Sequence, residues 1–181
     1  MRTTIAAVAL TAAALPLVVA GPASAEQFRI DDPQESTHGS DLLALQVRNG
    51  AENVDVTTQH ADLRRSPATG TAGTIYIDTD PRDRGPEYVF VGGFYAGTDY
   101  RLLETEGFGR SAWGDPIEHG DYIMRAKYAE DRVRIRMSRA ALGNPDDVRV
   151  AVRISGTRAS GGSVVDWAGK PRSFTPWLAQ G

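Results

Sequence analysis

Residues 132–137 read Arg-Val-Arg-Ile-Arg-Met, and residues 148–154 read Val-Arg-Val-Ala-Val-Arg-Ile. An apolar side chain stands at every second position of both runs. A β-strand sends successive side chains to opposite faces, so this period buries one face and leaves the other to water. An α-helix would scatter the same residues around its whole circumference. The pattern demands strands, and no long helical pattern elsewhere in the chain competes with it.

The same reading extends along the sequence. Leu43, Leu45 and Val47 alternate with Ala44, Gln46 and Arg48. Asn49-Gly50 is a hairpin signal, after which Val54, Val56 and Thr58 share one face of a second strand. Ile75 and Ile77 point inward from residues 74–78, and further strands are expected over 87–94, interrupted at Gly92-Gly93, and over 98–104. Residues 121–128 pair with 132–137 across Ala129-Glu130-Asp131, and Ser138 to Gly143 form one short helical turn capped at both ends. From Ser155 the chain reads as loop, with Trp167, Phe174 and Trp177 folding back to close one end. About eight strands with turn signals between them predict an all-β fold: an antiparallel β-sandwich, immunoglobulin-like or jelly-roll, with an eight-stranded up-and-down barrel as the alternative.

Residues 1–25 read as a cleaved secretory signal peptide. A single Arg2 precedes an uncharged run from Ile5 to Ala20, and Ala23-Ser24-Ala25 offers the small-x-small cleavage pattern before Glu26. That run is too short for a membrane span, and no later one reaches 18 apolar residues. Residues 26–181 are expected to form one domain, exported and monomeric. Without the leader, 19 basic side chains face 23 acidic ones, a balance that argues against a nucleic-acid partner. The absence of cysteine means that the core, not disulfides, must stabilise an exported fold, and it removes thiolate chemistry.

Four constellations bear on chemistry. The run from Asp78 to Glu87 places Asp78, Asp80, Asp83 and Glu87 around one turn, a set of oxygens that could hold a structural Ca2+. Arg82 and Arg84 intrude there and could pair with the same acids, leaving an ordinary polar turn. A second acidic loop holds Asp31, Asp32, Glu35 and Asp41. The three histidines, His38, His60 and His119, lack metal-ligand spacing, and no Gly-x-Ser-x-Gly nucleophile elbow exists. Arg132, Arg134, Arg136, Arg149 and Arg153 all face away from the apolar positions of their strands. Were both strands in one sheet, five guanidiniums would share a solvent face, extended by Arg125 and Lys127, able to hold an anionic polymer, phosphate groups or a carboxylate-bearing protein surface. Among the aromatics, Trp113 in its Gly-rich loop, Trp167 and Tyr95 are candidates for a ligand platform, the others being core.

The acidic run 75–80 (Ile-Tyr-Ile-Asp-Thr-Asp), Gly85-Pro86-Glu87-Tyr88, the Ser138–Gly143 turn followed by Val148-Arg149-Val150-Ala151-Val152, and the aromatic tail together carry a resemblance. Over most of residues 27–181 the chain resembles a group of small secreted actinobacterial proteins of unknown function. In layout it is more weakly similar to family-nine carbohydrate-binding modules and DOMON-like β-sandwiches. Secretion, the sandwich layout and the loop aromatics point to a secreted, non-catalytic module that binds a glycan or cell-wall polymer, with no organic cofactor and with either structural calcium or an ordinary polar turn at Asp78–Glu87. The other reading is an extracellular protein–protein or envelope interaction domain that uses the arginine-rich sheet face. No catalytic signature asks for an enzyme.

Overall fold

The computed structural model describes residues 25–181; the expected leader, residues 1–25, lies outside them except for Ala25. Two antiparallel sheets are stacked face to face. One is built from β1 (Glu26–Asp31), β2 (Leu42–Asn49), β3 (Asn53–His60), β9 (Arg132–Ser138) and β8 (Tyr122–Lys127), in that spatial order. The other runs β11 (Ser163–Trp167), β10 (Asp147–Thr157), β4 (Ala72–Asp78), β5 (Tyr88–Gly93), β6 (Tyr100–Thr105) and β7 (Trp113–Pro116), with β12 (Leu178–Ala179) on the start of β10. The chain crosses between sheets after β3, after β7 and after β9. The ladders stay separate, so the fold is the sandwich and not the barrel.

Period two explains the core. Val54, Val56, Val133, Ile135 and Met137 of the first sheet meet Ile75, Ile77, Phe90, Val150, Val152 and Ile154 of the second, all fully buried. Each such side chain contributes about 1.5–3 kcal/mol by leaving water. The hairpins β2–β3 and β8–β9 pair as their sequences predict. The short turn after β9 is a 3-10 turn, Ala140–Leu142: the Ser138 hydroxyl accepts the Ala141 N–H at 3.3 Å, and Gly143 closes it with φ +74°.

Several elements differ from the sequence reading. A bulge in β2 sends Leu42 into the core in place of Leu43. The ladder β4–β5 runs unbroken through Gly92 and Gly93. Strands β1, β7, β11 and β12 are additional, the last two falling in the stretch read as loop.

The second sheet has one more feature. Its outward face carries an apolar cluster of its own, Tyr76, Val89 and Ala151, over which Phe108, Trp113, Trp167 and Phe174 pack. The loop after β6 and the C-terminal tail therefore cover part of this face.

Candidate functional site

Beside that outer cluster the second sheet is hollowed. The floor comes from β4, where Tyr76 and Thr74 point outward because Ile75 and Ile77 point in. In register with them stand Ala151 and Arg153 of β10, and Arg153 in turn pairs with Trp167 of edge strand β11. Phe108 and Trp113 form one wall and Val165 another. The hollow encloses about 530 Å3. Tyr76 stacks almost parallel to Trp167, ring centres 6.3 Å apart, and leans on Phe108 at 4.7 Å. Its hydroxyl donates to the Phe108 carbonyl at 2.7 Å, which ties the loop to the floor.

Three cations rim this aromatic floor: Arg110, Arg153 and Arg172. None of them has a carboxylate partner among the described residues. Arg110 lies over the Trp113 ring at 5.6 Å. Burial raises the Tyr76 phenol above its ordinary pKa, while Arg153, Arg172 and Arg110 pull the other way, so all three act electrostatically on one hydroxyl. Val165 is 46% exposed, a large apolar side chain open to whatever enters. The lining contains neither a carboxylate nor an imidazole.

Of the residues predicted to bind ligand, the structure brings Trp113, Trp167 and Arg153 together here. Tyr95 lies elsewhere, its ring against Gly93 just after β5. The sequence reading missed Tyr76, Phe108, Arg110 and Arg172. Tyr76 had a signal: an aromatic at the outward parity of a strand whose isoleucines face in. Arg172 had none, since it stands in a tail turn at φ +60°.

The five arginines do not share a face. β9 belongs to the first sheet and β10 to the second, so Arg132, Arg134 and Arg136 look away from Arg149 and Arg153 on the opposite side of the sandwich. Arg149 is not free at all. Its Nε and Nη2 donate to Asp78 Oδ2 at 2.8 and 2.6 Å, and its guanidinium lies 4.6 Å from the centre of the Phe174 ring and 4.4 Å from that of Trp177. Arg125 and Lys127 do extend the β9 row, on neighbouring β8.

The four carboxylates of the expected calcium turn each have protein donors. Asp78 holds Arg149. Asp80 accepts the Arg82 backbone N–H at 2.9 Å and its Nε at 3.0 Å, which draws its pKa down. Asp83 accepts the Arg84 N–H at 2.6 Å, and Glu87 accepts from the Thr79 N–H at 2.6 Å and hydroxyl at 3.1 Å. In the second acidic loop Asp41 is buried and accepts the Ser36 N–H at 2.7 Å, while exposed Asp31 pairs with Arg29. His38 lies against the Thr157 carbonyl, His60 is buried beside Thr58 and Phe94, and His119 is exposed. No three His, Cys, Asp or Glu side chains converge in a metal-binding arrangement among the described residues. Comparison with family models, with curated proteins and with solved structures finds no match to this chain.

Proposed function

We propose that the chain is an exported, non-catalytic binding module that takes a glycan carrying an anionic group into the hollow on its second sheet. The observation that carries this reading is the pairing of an aromatic floor with three cations that have no acidic partner among the described residues. Aromatic faces pack against the apolar faces of sugar rings, and an unpaired guanidinium can grip an anionic group on the sugar with two parallel hydrogen bonds. The outward hydroxyls of Thr74, Ser155 and Ser163 add donors and acceptors suited to sugar hydroxyls. The lining consists of aromatic rings, guanidiniums and hydroxyls, groups suited to holding a sugar ring and its anionic substituent.

Two of the three tryptophans line the hollow, so intrinsic fluorescence reports directly on its occupancy. Titration with oligogalacturonate is expected to change that emission saturably, with neutral cello-oligosaccharides much weaker. Arg153→Ala is expected to weaken binding of the acidic sugar about tenfold or more, the worth of one charge-assisted contact. Equal affinity for acidic and neutral sugars in the wild type, or no response to any glycan, would remove this reading.

A further inference from the structure

The outer face of the first sheet is a separate surface. The strand registers arrange it as three rows, read from β1 to β8. The first is Asp31, Ala44, Gln59, Arg132 and Lys127. The second is Arg29, Gln46, Thr57, Arg134 and Arg125. The third is Gln27, Arg48, Asp55, Arg136 and Ile123. Seven cations thus stand against two carboxylates, in a chain whose net charge is −3. Asp31 pairs with Arg29 alone, and the other acids are shared between cations: Asp55 Oδ1 accepts Arg134 Nε at 3.1 Å and Arg136 Nε at 3.0 Å, and Glu130 at the edge bridges Lys127 and Arg132. Arg48 and Arg125 have no acidic partner among the described residues. Both line a shallow depression of about 360 Å3 that runs from β2 across to β8.

We infer that this face is a docking surface for a linear chain of phosphate groups. Charge complementarity selects a polyanion, because the excess cations are spread over several strands and no single small anion reaches them all. Along β9 the arginines repeat at about 6.8 Å, two strand residues, and neighbouring strands lie about 4.8 Å apart. A chain of closely spaced phosphates can therefore meet guanidiniums in either direction. No aromatic side chain stands in the three rows. A nucleic acid would lack a stacking platform for its bases, and a polysaccharide would lack one for its rings. What remains is recognition of charge and of oxygen geometry, for which the forked guanidinium is suited to phosphate.

The probe is long-chain inorganic polyphosphate, added to the mature chain (residues 26–181) at low and at moderate salt. Binding is expected at 50 mM salt, with log K falling linearly against log salt at a slope of about −2 to −4, corresponding to roughly three to five neutralised phosphates. Orthophosphate at the same total phosphate concentration is expected not to compete. The double variant Arg48→Glu/Arg125→Glu breaks no ion pair of the native face, and it is expected to lose at least tenfold in affinity with a shallower slope. Arg153→Glu, in the hollow of the other sheet, is expected to leave polyphosphate binding unchanged, and circular dichroism checks that both variants fold. Unchanged affinity in the double variant overturns the inference, as does the absence of wild-type binding at 50 mM salt. Equal binding of single-stranded DNA or polygalacturonate at matched charge would also overturn it, because the face would then not distinguish phosphate chains.

Discussion

Asp78 has no exposed surface, and among the described residues its only ion-pair partner is Arg149. Burial lifts its carboxyl above the ordinary carboxylate pKa even against the pull of that guanidinium. Removing one member of such a pair strands the other charge, so Arg149→Ala is expected to cost about 3–5 kcal/mol in denaturant unfolding. Because Arg149 also lies against Phe174 and Trp177, the variant should become more susceptible to chymotrypsin in the tail. Normal stability with a protected tail would show that the clasp is not needed. The acidic turn beyond Asp78 follows the same logic. Its carboxylates already hold backbone N–H groups and arginines, so excess Ca2+ is expected to leave Tm where EDTA leaves it, whereas a clear rise would return Asp80, Asp83 and Glu87 to the role of ligands. His60 supplies the pH dependence. It is buried, its Nε2 meets the Thr58 hydroxyl at 2.8 Å, and burial drives its pKa down to about 4 against a weaker contact to the Gly39 backbone. Above the unfolded value of 6.5 both states are neutral and the full stability is present. As pH falls from 6.5 towards 4 the unfolded chain takes up a proton that the fold refuses, so about 3 kcal/mol is lost. Replacing His60 with Asn should flatten that part of the stability–pH curve; an unaltered slope would place the titrating group elsewhere.

At the scale of elements, glycine marks where strands and rings come closest. Gly73 in β4 sits under Phe94, and a Cβ built there would lie 2.2 Å from the ring's Cζ. Phe94 is fully buried and meets His60 edge-on, so it has nowhere to retreat. Gly73→Ala is accordingly expected to destabilise by about 1–3 kcal/mol, through overpacking and not through backbone conformation. A neutral result by thermal melting would mean that the ring shifts freely. Gly92 and Gly93 answer to the same crowding: Tyr100 Cβ stands 2.7 Å from a Cβ at the first, and the Tyr95 ring 2.6 Å from one at the second. This is why a pair that reads as an interruption lies inside an unbroken ladder. Parity along a strand was legible throughout, from Val133 to Ile154, because burial of one face imposes it locally. Which sheet a strand joins was not. Arg134 and Arg149 show the same alternation, yet the connection after β9 crosses the sandwich and sends them to opposite sides. Strands β1 and β11 escaped notice because each offers too few alternating apolar residues, Phe28 with Ile30 in one and Val165 with Trp167 in the other. Asn49 was legible only as a turn signal; its buried amide in fact donates to the Leu178 carbonyl at 2.8 Å and accepts from Arg139 Nη1 at 2.8 Å, contacts made far along the chain.

Across the whole molecule, the two proposed surfaces lie on the outward faces of opposite sheets, with the core between them. Stacked sheets are about 10 Å apart, and side chains on both outer faces add to that distance. The separation therefore exceeds the Debye length of about 8 Å at physiological ionic strength, so charge bound on one face is largely screened from the other. No strand contributes a side chain to both surfaces: the hollow draws on β4, β7, β10 and β11, the basic face on β1, β2, β3, β8 and β9. Coupling through the core would need the packed layer of Val56, Ile135, Ile75 and Val152 to adopt a second arrangement, and all four are fully buried in one cluster. The expected outcome is independence. At 0.15 M salt, with polyphosphate saturating the first sheet, the fluorescence Kd for oligogalacturonate should stay within about twofold, a coupling below roughly 0.4 kcal/mol. A tenfold weakening, about 1.4 kcal/mol, would mean that both anions compete for one surface, and the division of labour between the faces would be lost.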